Sequence, residues 1–191
     1  SADEVGLAVR GAGALGLAGA RRATGSRVIA AVGRAAVRPA DRFGRGHLLP
    51  EAGDLTVHEA PAREVQSFAA EVGDRGYAHP DTDVAGFEWL VGMCRAKQQF
   101  GPLRSVRFDD ATGRTTGVSL YYPNRDGLGQ VVLLQARDGT HASVLDALAL
   151  DAAGHGAAAL VGQADPRLMG ALGERTSTYV QRNEFVTVRP G

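Results

Sequence analysis

Two stretches of this 191-residue chain place residues at spacings that could do chemistry. The first is Gly11-Ala12-Gly13-Ala14-Leu15-Gly16, a literal G-x-G-x-x-G after the strand-like run Glu4–Arg10. In a dinucleotide-binding unit such glycines permit a tight turn and bring a pyrophosphate close to a helix amino end. That unit would make the chain a nicotinamide-dependent oxidoreductase. The next strand-like run, Arg27–Val32, argues against it. An Asp or Glu should stand at its end for the ribose hydroxyls. Ala31, Val32, Gly33 and Arg34 stand there instead, followed by a stretch rich in Pro and Gly.

The second stretch is the junction Gln135–His141, between the apolar run Gln130–Ala136 and a helical pattern over Ala142–Ala153. A turn that opens a helix presents unpaired N–H groups and the positive end of the helix dipole, which favour an anion such as a phosphate. Arg137 could add a charge-assisted bond. The Asp138 carboxylate opposes the same anion. The plain alternative is an ordinary strand-turn-helix connection with Asp138 or Thr140 as cap.

Other reactive types offer less. No pair among His47, His58, His79, His141 and His155 has zinc-ligand spacing, and no H-E-x-x-H or G-x-S-x-G occurs. No metal is therefore expected. Cys94 is the sole cysteine, which excludes an intramolecular disulfide and a cysteine zinc site. It falls in an apolar helical pattern, so a buried thiol is expected. Tyr121 and Tyr122 are neighbours on a strand, so one should enter the core and the other line a surface or cleft. Trp89 reads as core packing.

Composition narrows the function classes. Apolar residues make up 44% and charged residues 22%, enough to build a core and too ordered a mixture for a disordered chain. The 21 basic and 21 acidic side chains cancel, so the basic excess of a nucleic-acid binder is missing. No run approaches the roughly 20 apolar residues of a membrane span. No secretory signal pattern opens the chain, so a cytoplasmic protein is the expectation.

The elements that must position these residues follow from periodicity. Asp54–Glu59 alternates as a strand, and Ala62–Val72 has a helical apolar face of Val65, Phe68, Ala69 and Val72. Asp83 should cap a helix over Val84–Phe100 that carries Phe87, Leu90, Val91 and Cys94, stopped by Gly101-Pro102. Three strands follow, Leu103–Phe108, Thr115–Tyr122 and Gln130–Ala136. The last, apolar at four successive positions, should be a central strand buried on both faces. Val132 and Leu134 would point one way, Val131 and Leu133 the other. A helix over Ala142–Ala153, a strand over Ala157–Val161 and a helix from Pro166 to Glu174 come next. Short strands at Thr178–Gln181 and Glu184–Val188 complete the order. Val5–Pro39 and Ala157–Pro190 echo each other in element order, and both end in Val-Arg-Pro, which suggests one repeated path.

From residue 54 onward this order resembles that of the GCN5-related N-acetyltransferases (GNAT). The residues that carry the resemblance are Phe87–Val91, the meander Leu103–Tyr122 with Gly113, Gly117, Tyr121 and Tyr122, and Gln130–Leu168. The chain is similar to a bacterial tandem-GNAT protein with a truncated first lobe. The resemblance implies an α/β fold, with a mixed, mostly antiparallel sheet flanked by helices and preceded by a strand-helix-strand remnant. It divides the chain into 1–40, the end of a first lobe; 41–53, a linker; and 54–191, a GNAT-like domain. It displaces the dinucleotide reading of Gly11–Gly16.

The implied reaction is acyl transfer from acetyl-CoA or another acyl-CoA to a small-molecule or peptide amine. Pantetheine would lie along Gln130–Ala136 where that strand splays from Ala157–Val161. The cofactor-binding residues would be Leu134, Gln135, Ala136, Arg137, Gly139, Thr140 and His141, with the pyrophosphate on the last three. The usual general acid is a Tyr in the helix after the fifth strand. Pro166–Glu174 has none, so the role falls to Tyr179. The loop Gln135-Ala-Arg-Asp-Gly-Thr is one residue out of the family register and contains an acid. The alternative is therefore a degraded, non-catalytic scaffold or binding module. Partners implied are the amine acceptor and a second copy of the chain, with no nucleic acid and no membrane.

Overall fold

The structure, a computed structural model, describes residues 3–8, 50, 53–73, 83–125, 128–163, 166–173 and 178–182. Gly11–Gly16, Arg27–Val32, His47, His79 and Glu184–Val188 lie outside them. So does most of the expected echo between Val5–Val37 and Ala157–Val188.

The described strands are β1 (Asp3–Ala8), β2 (Thr56–Glu59), β3 (Arg104–Asp109), β4 (Thr115–Tyr122), β5 (Leu128–Ala136), β6 (Ala159–Gln163) and β7 (Thr178–Arg182). The helices are α1 (Ala62–Val72), α2 (Val84–Arg95), α3 (His141–Gly154) and α4 (Pro166–Gly173). The seven strands form one sheet in the order β2-β3-β4-β5-β6-β1-β7. Every pairing is antiparallel except β5 with β6. The fold is thus α/β, a mostly antiparallel sheet with helices on its faces, as expected. β1, from the segment expected to close a first lobe, sits between β6 and β7 and is antiparallel to both.

Residue pattern dictates the two layers. Along β4, Val118 and Leu120 enter the core formed with Val65 and Phe68 of α1 and with Phe87 and Val91 of α2. Tyr121 enters the opposite core with Val144 and Leu148 of α3 and with Leu168 and Leu172 of α4. This alternation is the period of two of a strand with both faces covered. Each fully buried Val, Leu or Phe contributes roughly 1.5–3 kcal/mol. Gly117 lets α3 approach β4, since a Cβ there would lie 2.7 Å from a Val144 methyl and 3.0 Å from the Gln135 carbonyl oxygen. Gly117→Ala is expected to cost about 1–3 kcal/mol by overpacking, read as a lower denaturant midpoint. An unchanged midpoint would show that α3 can move away freely.

The strand buried on both faces is therefore β4, which corrects the expectation for β5. β5 carries a β-bulge. Leu120 pairs with Leu133, yet Tyr121 pairs with Val131, leaving Val132 as the extra residue. A bulge shifts the alternation beyond it by one residue. Val131 and Leu134 accordingly pack on the α3 side, Leu133 packs on the α1–α2 side, and Val132 is 41% exposed.

Three more expectations change. Tyr121 and Tyr122 are both buried, because helices cover both faces of β4. Trp89 is 67% exposed, on the side of α2 away from Phe87, Val91 and Cys94. α2 ends at Arg95 and gives way to a single 3-10 turn, Gln98–Phe100. The Cys94 carbonyl accepts from the Lys97 N–H at 3.0 Å and from the Tyr122 hydroxyl at 2.6 Å, while Phe100 packs on the Tyr122 ring. The start of α2 is as expected, with Asp83 Oδ1 accepting from the Gly86 N–H at 2.7 Å. Cys94 is buried and free.

Candidate functional site at the open end of β5

β5 and β6 pair only at Leu128–Ala159, Gly129–Leu160 and Gln130–Val161. β5 continues against β4 as far as Ala136, paired there with Gly117. The two parallel strands therefore part company just before the bulge at Val132. Beyond that point the edge of β5 facing away from β4 has no strand neighbour among the described residues. Such an edge is a template for an added extended chain.

The expected site residues line this open end in different ways. Leu134 is half-buried against the α3 core, and Ala136 is buried in it. Gln135 is buried, and its Oε1 accepts from the Arg167 guanidinium at 3.2 Å. Arg167 belongs to α4, after β6, so this bond reaches from one diverging arm to the other.

Arg137 is engaged on the α1 side. Its N–H donates to the Thr116 carbonyl at 2.8 Å and its Nε to the Thr115 carbonyl at 2.9 Å. Both terminal nitrogens donate to the Glu71 carboxylate, at 2.8 and 3.1 Å. The guanidinium lies 5.0 Å from the centre of the Phe68 ring. Its hydrogen bond to Arg137, and then the nearby positive charge, hold the Glu71 carboxyl below the ordinary glutamate range. The Arg137 charge is thus matched by Glu71, not left for the α3 amino end.

The turn itself is built by Gly139, whose φ of 78° is a left-handed conformation that a side chain would strain. Thr140 closes it. Its N–H donates to the Arg137 carbonyl at 3.0 Å, and its hydroxyl donates there at 2.8 Å. Thr140 occupies the cap position of α3, but its side chain makes no capping bond to the helix amides. Asp138 is exposed in the turn and His141 opens the helix half-buried. Gly139, Thr140 and His141 are therefore contiguous at an amino end that Thr140 does not cap. Tyr179 lies on β7 opposite Gly6; its side chain is outside what the structure describes.

Sequence reasoning missed the groups on the α1 face. Glu64 and Glu71 stand two turns apart on α1, and each holds an arginine, Arg107 of β3 at 2.9 Å and Arg137, just past β5, at 2.8 Å. Together with Arg63 and Phe68 they border an open cleft of about 610 Å³. It also missed a polar cluster at the opposite end of β4. There Asp151 of α3 accepts from the Tyr121 hydroxyl and from Arg104 Nε at 3.3 Å, and His155 Nδ1 lies 3.5 Å away. Arg104 also pairs with Glu59 at 2.9 Å. The seven-residue spacing of the α1 glutamates and the i, i+4 spacing of Asp151 and His155 were the local signals for these groups. Among the described residues no three His, Cys, Asp or Glu side chains come together as a metal site. No helix among them is long and apolar enough to cross a membrane.

No protein-family profile matches the chain, and no curated protein matches it. Among solved structures, an acetyltransferase of Trypanosoma brucei is similar at 16% identity with a TM-score of 0.45. That similarity covers 71% of this chain and 100% of the other.

Proposed function

We propose that this chain is an acyl-CoA-dependent N-acyltransferase that moves an acyl group, acetyl in the simplest case, to a small-molecule or peptide amine. One observation carries the reading: two parallel strands separate at a bulge and leave the end of β5 open, directly before the amino end of α3. Pantetheine is an extended chain with two amides and can pair with such an edge as an added strand would. The diphosphate suits the N–H groups of Gly139, Thr140 and His141 with the α3 dipole behind them. A backbone N–H beside the bulge would polarise the thioester carbonyl. The amine attacks that carbon, the C–N bond forms, the C–S bond breaks, the nitrogen gives up a proton to solvent and the thiolate takes one. Tyr179, the expected source of that proton, stands on β7, three strands along the sheet from β5, so we assign the proton to solvent and place the protein in the cytoplasm.

A second reading, a non-catalytic scaffold, is favoured by the Gln135–Arg167 bond across the gap and by the capture of Arg137 by Glu71. The nicotinamide reading has lost its support in the sheet. In a dinucleotide-binding unit the strand before the glycines is parallel to its neighbours, whereas β1 is antiparallel to both of its own.

Thermal unfolding in the presence of acetyl-CoA, NAD or buffer separates the three. Ligand at a hundred times its dissociation constant stabilises by about 2.7 kcal/mol, a rise of roughly 5–10 °C for a chain of this size. Acetyl-CoA alone is expected to give it. Asp138→Asn should enlarge the rise by removing a carboxylate near the diphosphate. No rise with acetyl-CoA for either protein leaves the scaffold.

A further inference from the structure

α2 is apolar almost all the way round. In VAGFEWLVGMCR the only charged residues are Glu88 and Arg95. Phe87, Val91 and Cys94 enter the core. A second stripe, Gly86, Trp89, Leu90 and Met93, is spaced i, i+3, i+4, i+7, with Gly86 half-buried and the other three facing outward. Trp89 is 67% exposed, Met93 51% and Leu90 39%. A helix with two apolar faces normally has both of them covered, and a contiguous exposed apolar patch marks an interaction surface.

We propose that this stripe is the two-fold contact of a homodimer, with α2 antiparallel to α2 of a second copy. Two features of the stripe select that occupant. The first is self-complementarity. An isologous contact requires that residue i meet residue j and residue j meet residue i. In an antiparallel pair centred between Trp89 and Leu90, each Trp89 faces Leu90 of the other copy. Each Gly86, without a side chain, faces the long Met93. The second is charge. The acidic cap Asp83 precedes the helix, and Arg95 and Lys97 stand at its end. Antiparallel packing brings the acidic end of each helix to the basic end of the other and opposes the two helix dipoles. The chain's formal net charge is zero, so two copies do not repel. A single helix pair buries less than a standard interface of about 1,600 Å², so the dimer should dissociate in the micromolar range. The inference does not depend on the acyltransferase reading.

Trp89 is the only tryptophan of the chain, so its fluorescence reports on this face alone. Sedimentation equilibrium is expected to show a monomer–dimer equilibrium, and the Trp89 emission should shift red on dilution along the same curve. A buried aromatic anchor contributes about 2 kcal/mol or more. Trp89→Glu should therefore raise the dimer dissociation constant by about 30-fold or more, and Met93→Glu should weaken the dimer too. Gly86→Lys combined with Met93→Glu should recover most of the Met93→Glu loss, because residue 86 of each copy faces residue 93 of the other. A monomer at every concentration overturns the proposal. So does a dimer that survives Trp89→Glu, or an emission maximum that ignores concentration. Failure of the double variant to recover overturns the antiparallel register.

Discussion

Between about pH 10 and pH 12 the folded protein should lose stability steeply, and two adjacent tyrosines should account for the loss. Burial, then the bond to Asp151 and its charge, push the Tyr121 hydroxyl far above its ordinary value. Burial, then contact with Cys94, pushes Tyr122 up to about 12. An unfolded tyrosine gives up its proton near pH 10. Above that pH the unfolded chain sheds protons that the folded chain keeps, so rising pH favours unfolding. Each tyrosine contributes a slope of about 1.4 kcal/mol per pH unit. Together they remove about 5 kcal/mol by pH 12, comparable to the whole stability of many domains. Below pH 10 the contribution is fully present. Urea midpoints measured from pH 8 to 12 should show the fall, and Tyr121→Phe should halve its slope. The same slope in Tyr121→Phe and Tyr122→Phe would mean that neither hydroxyl resists ionisation.

The second large effect is expected from Asp151→Ala. The Asp151 side chain is 13% exposed and is the acceptor for the fully buried Tyr121 hydroxyl. It also accepts from Arg104 Nε. Removing it leaves a buried donor without an acceptor and takes one of two carboxylates from a largely buried arginine. Breaking such a pair costs about 3–5 kcal/mol. The lower figure applies, because Glu59 still holds Arg104. For a chain of this length that is a fall of roughly 10 °C in Tm. Asp151→Asn keeps an acceptor oxygen and should lose about 1 kcal/mol. Calorimetry on both variants separates the cases. Equal, small losses would show that Tyr121 and Arg104 find other partners.

Where periodicity meets one covering layer, sequence and structure agree. The face of α1 with Val65 and Phe68 and the Phe87, Val91 and Cys94 stripe of α2 follow from a period of 3.6 residues. The start of α2 follows from the residue type at Asp83, whose Oδ1 accepts from the Gly86 N–H. The misses have physical causes. A bulge adds one residue without changing composition, so the apolar run around Val132 looks like a strand in simple alternation. An aromatic ring suggests burial, but no sequence pattern tells a helix packed on one side from one packed on two, and Trp89 falls on the second side. At the candidate site, the turn at Gly139 and the start of α3 were legible because they are local. Arg137 was assigned without Glu71, a partner 66 residues away, and the Gln135–Arg167 bond likewise depends on the path of the chain.

The place of β1 in the sheet bears on when the protein can finish folding. β1 ends at Ala8, while its neighbours β6 and β7 begin only at Ala159 and Thr178, so it is made long before either. The central hairpins can assemble during synthesis, but β1 must wait until β6 and β7 have been made, and β7 pairs with no described strand except β1. One edge of the sheet is thus sealed by a clasp whose two halves, β1 and β7, lie far apart along the chain. Until it closes, the edge of β6 stays open to any passing strand.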